Sequence, residues 1–278
     1  MNLTLMYITN RPEVAQIAEK NGVDRIWIDL ETLGKEERQK GMNTVKSQHT
    51  VDDIKKIKPL LTKSQMLVRV NPWNENSVQE IDQVVSAGAD IIMLPMWKSA
   101  AEVTNFINKV DGRCKTTLLL ETKEAVECLD EVLLNGGMDE IHIGLNDLHL
   151  SYGLTFMFEL LSNGTVEMLT KKISDVGLPY GFGGIARLGE GLLPAEKVIM
   201  EHYRLGSTRA ILSRTFCDNA VITNMNEIER VLAENLKELR DYEATVSENS
   251  EKYEENRIVV QQKVAEIVEI IRRKRNAD

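Results

Sequence analysis

The feature that most constrains the fold is a series of eight short apolar segments that alternate with amphipathic stretches. Four of them carry four or five apolar residues with little polar alternation, which is typical of parallel strands buried on both faces. Apolar residues at three- and four-residue spacing predict connecting helices over residues 77–87, 100–110 and 123–134. The predicted strands span residues 3–8, 25–30, 66–70, 90–94, 116–120, 140–143, 179–183 and 208–212.

Eight strands that alternate with helices predict a closed (β/α)8 TIM barrel, whose functional side chains lie at the carboxyl ends of the strands. A length of 278 residues suits one such barrel and leaves a C-terminal remainder. Neither glycine nor proline follows Gly206, so this remainder should be helical. We therefore assign residues 1–218 to the barrel and 219–278 to a C-terminal helical extension, with a break between two helices at residues 247–256.

The predicted extension carries stripes of apolar residues that a lone surface helix would leave partly exposed. The helices either fold back on their own barrel or are exchanged with a neighbouring subunit, and the residues alone leave both interpretations open. The stripes consist of Met225, Ile228, Leu232, Leu236, Leu239, Val264, Ile267, Val268 and Ile271.

Charge and composition exclude several classes of function. A net charge of -9 argues against nucleic acid as a main partner. No apolar run approaches the roughly 18 residues of a membrane span, and the chain enters a strand almost at once, so we expect no membrane association and a cytoplasmic location. Cys114, Cys128 and Cys217 have neither metal-ligand spacing nor an even count, which disfavours zinc and disulfides.

Three predicted strands end on charged residues, Arg69, Glu121 and Asp147. Neighbouring strands lie about 4.8 Å apart, so the two carboxylates could share a hard divalent cation such as Mg2+ or Mn2+. Alternatively, each carboxylate caps the following helix. The fork of Arg69 could hold a carboxylate or enolate oxygen, or it could form a structural ion pair with Glu31 or Glu121.

Further candidates lie on predicted loops at the same end of the barrel. Gly144 would let backbone amides of the following turn approach an anion. His49 lies on a long loop after the second strand and is suited to proton transfer, although a solvent-facing or capping role is the alternative. Arg214 follows the last strand, where barrels often bind phosphate, so it could hold a distal phosphate or carboxylate, or else pair with a glutamate. We expect His142 in the core and His149 in a structural role.

Several motifs, taken together and in order, resemble the HpcH/HpaI aldolase and citrate lyase beta-subunit family of metal-dependent barrels. The resemblance covers residues from about 10 to 215, and the shared order and spacing of the motifs make it specific. The matching stretches are IDLE at 28–31, VRVNPW at 68–73, AGAD at 87–90 followed by LPM at 94–96, LETKEA at 120–125, and IGLNDL at 143–148 with Gly153.

The resemblance implies Mg2+, Mn2+ or Co2+ held by Glu121 and Asp147, with a 2-oxoacid chelating the ion through its carboxylate and keto oxygens. Arg69 would face the keto oxygen, where aldol cleavage develops enolate charge. Backbone amides near Asn146 and Asp147 would hold the substrate carboxylate, and Glu31 would contact a metal-bound water. The family also places C-terminal helices across a subunit interface, which predicts a homo-oligomer.

The sequence departs from this pattern at the acid/base pair of the hydroxy-dioxo-acid aldolases. Thr32 and Ser86 stand where that branch has a histidine and an aspartate. His49 is the best substitute base, and the CoA-ester pattern of the citrate lyase branch does not match well either. The prediction is therefore a metal-dependent carbon-carbon lyase acting beside a pyruvate-like 2-oxoacid enolate, with a citrate lyase or malyl-CoA lyase-like thioester lyase and a non-catalytic oligomeric barrel as alternatives.

Overall fold

A computed structural model describes residues 2–34, 48–218 and 221–275. Eight parallel strands close into a barrel in chain order, with β1 paired to β8. The predicted (β/α)8 barrel is confirmed, and every strand boundary lies within two residues of its predicted position. The strands are β1 Thr4–Ile8, β2 Arg25–Asp29, β3 Gln65–Arg69, β4 Ile91–Leu94, β5 Lys115–Leu120, β6 Glu140–Ile143, β7 Tyr180–Ile185 and β8 Arg209–Leu212.

Helices connect the strands along the outside of the barrel. The predicted helix over residues 123–134 is in fact two short helices, because Cys128 adopts φ -100° and ψ 7° and interrupts the helical backbone. The helices are α1 Pro12–Lys20, α2 Val51–Ile57, α3 Ser77–Ala87, α4 Ala100–Val110, α5 Lys123–Glu127, α6 Leu129–Asn135, α7 Leu145–Ser151, α8 Glu159–Ser162, α9 Thr165–Asp175, α10 Ala195–Arg204, α11 Met225–Glu248 and α12 Tyr253–Arg275.

The strands bury both of their faces, as their continuous apolar sequences predict. Outward-facing residues pack against the helices in the main core. Inward-facing residues form a separate apolar cluster inside the barrel, built from Met6, Trp27, Leu67, Ile91, Met93 and Leu119. Alternation along β2 and β3 continues from this cluster to Asp29 and Arg69 at the carboxyl ends, and so directs both side chains into the barrel mouth.

The extension consists of α11 and α12, joined by a 3-10 turn at Ser250–Lys252 within the predicted break. Ile228, Leu232 and Leu239 of α11 are fully buried, and α11 packs on α1 while α12 packs on α8 and α10. The extension therefore packs against its own barrel, while Met225, Ile267 and Ile271 stay partly exposed, and exchange of the helices with a neighbouring subunit stays an open alternative. The homo-oligomer stays a prediction. No helix in the described residues could span a membrane.

Candidate active site

Arg69 lies at the centre of a carboxylate cluster in the barrel mouth. Its Nε donates to Asp29 Oδ1 at 2.8 Å and its Nη2 donates to Asp29 Oδ2 at 2.9 Å. Glu31 Oε2 lies 3.3 Å from Nη2, and the guanidinium carbon lies 5.3 Å from the centre of the Trp27 ring. The structure thus contains the predicted ion pair with Glu31, but the bidentate partner is Asp29, which sequence reasoning did not single out.

Arg69 remains charged although its side chain is only 14% exposed. Burial alone would lower the pKa of its guanidinium, but the carboxylates of Asp29 and Glu31 outweigh burial and raise that pKa above its ordinary value. Both carboxylates are 2% exposed. A permanent positive charge is therefore held in a water-poor mouth, where it acts on a developing negative charge more strongly than it would in water.

Glu121 directly follows β5 beside this cluster and is 3% exposed. Its Oε1 accepts a hydrogen bond from the backbone N–H of Met96 at 3.1 Å, and Met96 adopts a left-handed φ of 52°. Burial, and next the negative charge of Asp147, raise the pKa of Glu121 well above its ordinary value, although the charge of Arg69 opposes them. Burial among negative charges therefore disfavours the ionised form of Glu121 more than Arg69 favours it.

The position of Glu121 depends on a glycine in the next strand connection. A Cβ at Gly144 would lie 2.8 Å from both Cβ and Oε2 of Glu121 and 3.3 Å from Cδ1 of Leu119. The φ of Gly144 is -82°, which any residue can adopt, so space rather than backbone conformation requires glycine here. The approach of the Gly144 backbone to a ligand stays a prediction, whereas Gly144 and Glu121 are in close contact in the structure.

Gly144→Ala is expected to displace Glu121 and to destabilise the fold by about 1–3 kcal/mol, because the added methyl overpacks a buried contact. Thermal unfolding measures the loss of stability, and titration with Mn2+ measures the accompanying loss of metal-dependent stabilisation. Gly184→Ala in β7 is the control for a tight Cβ contact away from Glu121: its Cβ would lie 3.3 Å from a backbone oxygen of Ile211, so it should lose some stability but keep the response to Mn2+. Equal effects of the two substitutions would contradict the role assigned to Gly144.

Asp147 lies in the first turn of α7, directly after β6, where it is partly exposed beside the exposed Asn146. Helix capping does not explain Glu121, because the side chain of Thr122 caps α5 by accepting the N–H of Ala125 at 3.1 Å. The N-cap position of α7 is Gly144, so Asp147 is not its N-cap residue either. The two predicted metal ligands are thus close enough to interact electrostatically without serving as N-caps.

His49 is close to the Arg69 cluster. Its Nδ1 accepts a hydrogen bond from the backbone N–H of Asp29 at 3.0 Å, and its side chain is partly exposed. Because a backbone N–H can only donate, Nδ1 is unprotonated in this arrangement and the neutral ring carries its proton on Nε2. The rest of the predicted loop, residues 35–47, lies outside the described residues.

Thr32 and Ser86, which stand at the positions of the missing acid/base pair, and Arg214, the predicted anion contact, lie in separate places. Thr32 is exposed at the mouth, where its backbone N–H donates to Asn71 Oδ1 at 2.9 Å. Ser86 is exposed on the outer helix α3. Arg214 is exposed in the turn after β8. None of these positions recreates the pair within one chain.

The two other histidines that the sequence singled out are buried. His142 Nε2 bonds the carbonyl of Gly183 at 3.0 Å, and burial lowers the pKa of its ring to about 4. His149 Nδ1 bonds the carbonyl of Leu145 at 3.2 Å. Both positions agree with the predicted core and structural roles.

The donors present fit a hard divalent cation. Glu121 and Asp147 supply two carboxyl groups whose charges interact, while the carboxylates of Asp29 and Glu31 already pair with Arg69. Within the described ranges, no group of three or more His, Cys, Asp or Glu side chains is arranged to hold a metal. Two protein carboxylates are the usual complement for Mg2+, which keeps several waters and binds substrate oxygens.

Comparison with known proteins identifies the family. The profile of the HpcH/HpaI aldolase/citrate lyase family matches residues 3–159, more than half of the chain. Curated protein sequences gave no match. An HpcH/HpaI aldolase from Desulfitobacterium hafniense DCB-2 has a similar fold, with a TM-score of 0.55 and 16% identity over 76% of this chain and 86% of that one.

A second similar fold is that of an HpcH/HpaI aldolase/citrate lyase family protein from Burkholderia cenocepacia J2315. Its TM-score is 0.61 at 13% identity, and the match covers 86% of this chain and 95% of that one. At these identities the two structures show a shared barrel, while the profile match carries the assignment. The chain belongs to the HpcH/HpaI aldolase/citrate lyase family, a family of aldolases and lyases.

Proposed function

We propose that this protein is a metal-dependent lyase that makes or breaks a carbon-carbon bond beside the enolate of a pyruvate-like 2-oxoacid. The observation that carries the proposal is the buried carboxylate of Glu121, whose pKa is raised by burial and Asp147, in the same mouth as the charged Arg69. A lyase of this kind must stabilise the negative charge that develops on the keto oxygen. Family membership supports the reaction class.

Glu121 and Asp147 would hold Mg2+, Mn2+ or Co2+, and the remaining coordination positions of the ion would be open to water and substrate. Such an ion supplies Lewis-acid polarisation of the keto oxygen. Its two positive charges would also relieve the repulsion between Glu121 and Asp147. Glu31, 2% exposed and paired with Arg69, would accept a hydrogen bond from a water in the mouth.

Arg69 would oppose the charge on the enolate oxygen, and its orientation is fixed by two hydrogen bonds to Asp29. Fixed orientation matters because a donor that is already aligned needs no reorganisation during the reaction. Backbone N–H groups of Asn146 and Asp147 would bind the carboxylate of the substrate. The N–H of Gly144 already donates to the carbonyl of Leu120 at 2.9 Å, so Gly144 would serve by letting the turn approach the carboxylate. Arg214 would hold a distal phosphate or carboxylate of the partner molecule.

The hydrogen bond at His49 refines its predicted catalytic role. Nδ1 already accepts the Asp29 N–H, so the ring is poorly placed to take a proton as a general base. We therefore propose that neutral His49 acts through Nε2–H as a hydrogen-bond donor in the mouth. On this view His49 assists charge stabilisation and does not replace the missing acid/base pair.

Metal-dependent exchange of the pyruvate methyl protons with deuterium, followed by NMR, tests the proposal directly. We expect exchange in the presence of Mg2+, Mn2+ or Co2+, because enolisation would transfer a methyl proton to water in the mouth and the enolate carbon would then take up a deuteron from the solvent. Glu121→Gln should abolish this exchange. His49→Gln should retain part of it, since glutamine keeps a donor, while His49→Ala should lose more.

The exchange experiment, combined with two further measurements, separates the alternative functions. No exchange with any metal, together with turnover of malyl or citramalyl thioesters, would favour the CoA-thioester lyase. No metal-dependent stabilisation together with intact oligomers would favour the non-catalytic barrel. Arg214→Ala should leave pyruvate exchange unchanged and weaken the binding only of substrates that carry a distal anion. Equal affinity of the wild type and Arg214→Ala for such a substrate would contradict the role given to Arg214.

A further inference from the structure

The opposite end of the barrel holds a second buried charge cluster. Arg25, Glu140 and Arg209 are the first residues of β2, β6 and β8, so they lie at the amino ends of the strands, away from Glu121. Arg25 Nη2 donates to Glu140 Oε2 at 2.9 Å, and Arg209 Nη2 lies 3.0 Å from the same oxygen. Thr117 Oγ1 donates to Glu140 Oε1 at 2.6 Å.

This cluster carries more positive than negative charge. Two guanidiniums face one carboxylate, and all three residues are less than one tenth exposed. Hydrogen bonds and charges from Arg25 and Arg209 outweigh burial and lower the pKa of Glu140, so this group is ionised. Arginine does not deprotonate in proteins, so one positive charge is left uncompensated within the cluster. Interiors rarely hold such a charge without a partner.

Three N–H donors of the cluster point to the missing partner. Among the described residues, Arg25 Nε, Arg209 Nε and Arg209 Nη1 are buried from solvent and have no hydrogen-bond acceptor. Glu140 cannot serve them, because its two oxygens already face both guanidiniums and Thr117. A single ligand would balance the excess charge and satisfy the unpaired N–H donors if it is small, negatively charged and a hydrogen-bond acceptor.

We propose that a monovalent anion of the chloride class binds at the amino end of the barrel between Arg25 and Arg209. The charge count favours a single negative charge, and the two arginines exclude a metal cation. Phosphate would bring more negative charge than the one positive charge left over in the cluster, which favours a monovalent anion. The site is independent of the proposed lyase activity.

Thermal unfolding in sodium chloride, sodium bromide and sodium gluconate at equal ionic strength tests this site. A ligand that binds only the folded state raises Tm with its concentration, so we expect chloride and bromide to raise Tm by about 2–4 °C over gluconate, saturably. Arg209→Met removes the excess charge and should abolish the difference. Arg113→Met, at an exposed arginine, should keep it.

Anomalous diffraction from crystals grown in bromide decides the matter even where Arg209→Met fails to fold. A peak within hydrogen-bond distance of the guanidiniums of Arg25 and Arg209 in the wild type would support the site. Water at these donors without an anomalous peak, or a halide effect of equal size in Arg209→Met, would overturn the proposal.

Discussion

Glu121→Gln is expected to stabilise the metal-free protein while it abolishes the response to metal. Burial and Asp147 raise the pKa of Glu121, which means that ionising this side chain costs more free energy in the folded protein than in the unfolded chain. Glutamine has nearly the same shape, and its oxygen can still accept the Met96 N–H. We expect a gain of about 1 kcal/mol, seen as a Tm higher by about 2–4 °C in thermal unfolding without metal.

The same variant should lose the rise in Tm that Mn2+ gives the wild type, and its rate of pyruvate exchange should fall by at least about 100-fold. Opposite signs for stability and function are typical of a residue kept for function at the expense of stability. Glu124→Gln, at an exposed glutamate on α5, is the control and should change neither property. A Glu121→Gln protein that is less stable and still responds to Mn2+ would show that Glu121 is structural.

The positions of Arg69, Glu121 and Asp147 were predictable because strand ends in a parallel barrel converge on one mouth. Each follows a run of apolar residues, and that run alone defines a strand and its end. The predicted interaction of Glu121 with Asp147 agrees with the coupling of their charges in the structure. Their role in holding a metal stays a prediction.

Partners set by register were harder to predict. Asp29 lies within an apolar segment and reads from sequence as part of a buried strand, but the pairing of β2 with β3 places it directly beside Arg69. The pair of Arg25 and Glu140 joins residues 115 positions apart, and no local pattern indicates which inward-facing charges meet inside a barrel. Periodicity indicates which face a residue occupies, whereas strand pairing decides its neighbours.

The C-terminal helices show a related limit. Their apolar stripes were evident in the sequence, but a stripe does not indicate which surface covers it. Glu243 of α11 is fully buried and accepts hydrogen bonds from the N–H of Leu3 at 2.8 Å and the hydroxyl of Tyr203 at 3.0 Å. It therefore joins the extension to the residue before β1 and to α10. The sequence gives no reason to expect a glutamate of this helix to be buried, because its burial depends on partners that are distant in the chain.

Arg69→Met is expected to cause the largest loss of stability of any single substitution considered. It removes the cation that faces the carboxylates of Asp29 and Glu31, each 2% exposed. Breaking a buried ion pair by removing one partner typically costs about 3–5 kcal/mol, because the other charge stays buried. Denaturant unfolding measures this loss. Pyruvate exchange should also fall by about 100- to 1000-fold, since the guanidinium no longer faces the enolate oxygen.

A double variant separates the structural role of Arg69 from its proposed catalytic role. Asp29→Asn together with Arg69→Met removes both members of the bidentate pair, so no uncompensated Asp29 charge remains, and much of the lost stability should return. Exchange should stay low, because neutralising Asp29 does not supply a cation to the substrate. Recovery of exchange along with stability would instead mean that Arg69 only maintains the fold, and the enolate would then depend on the metal alone.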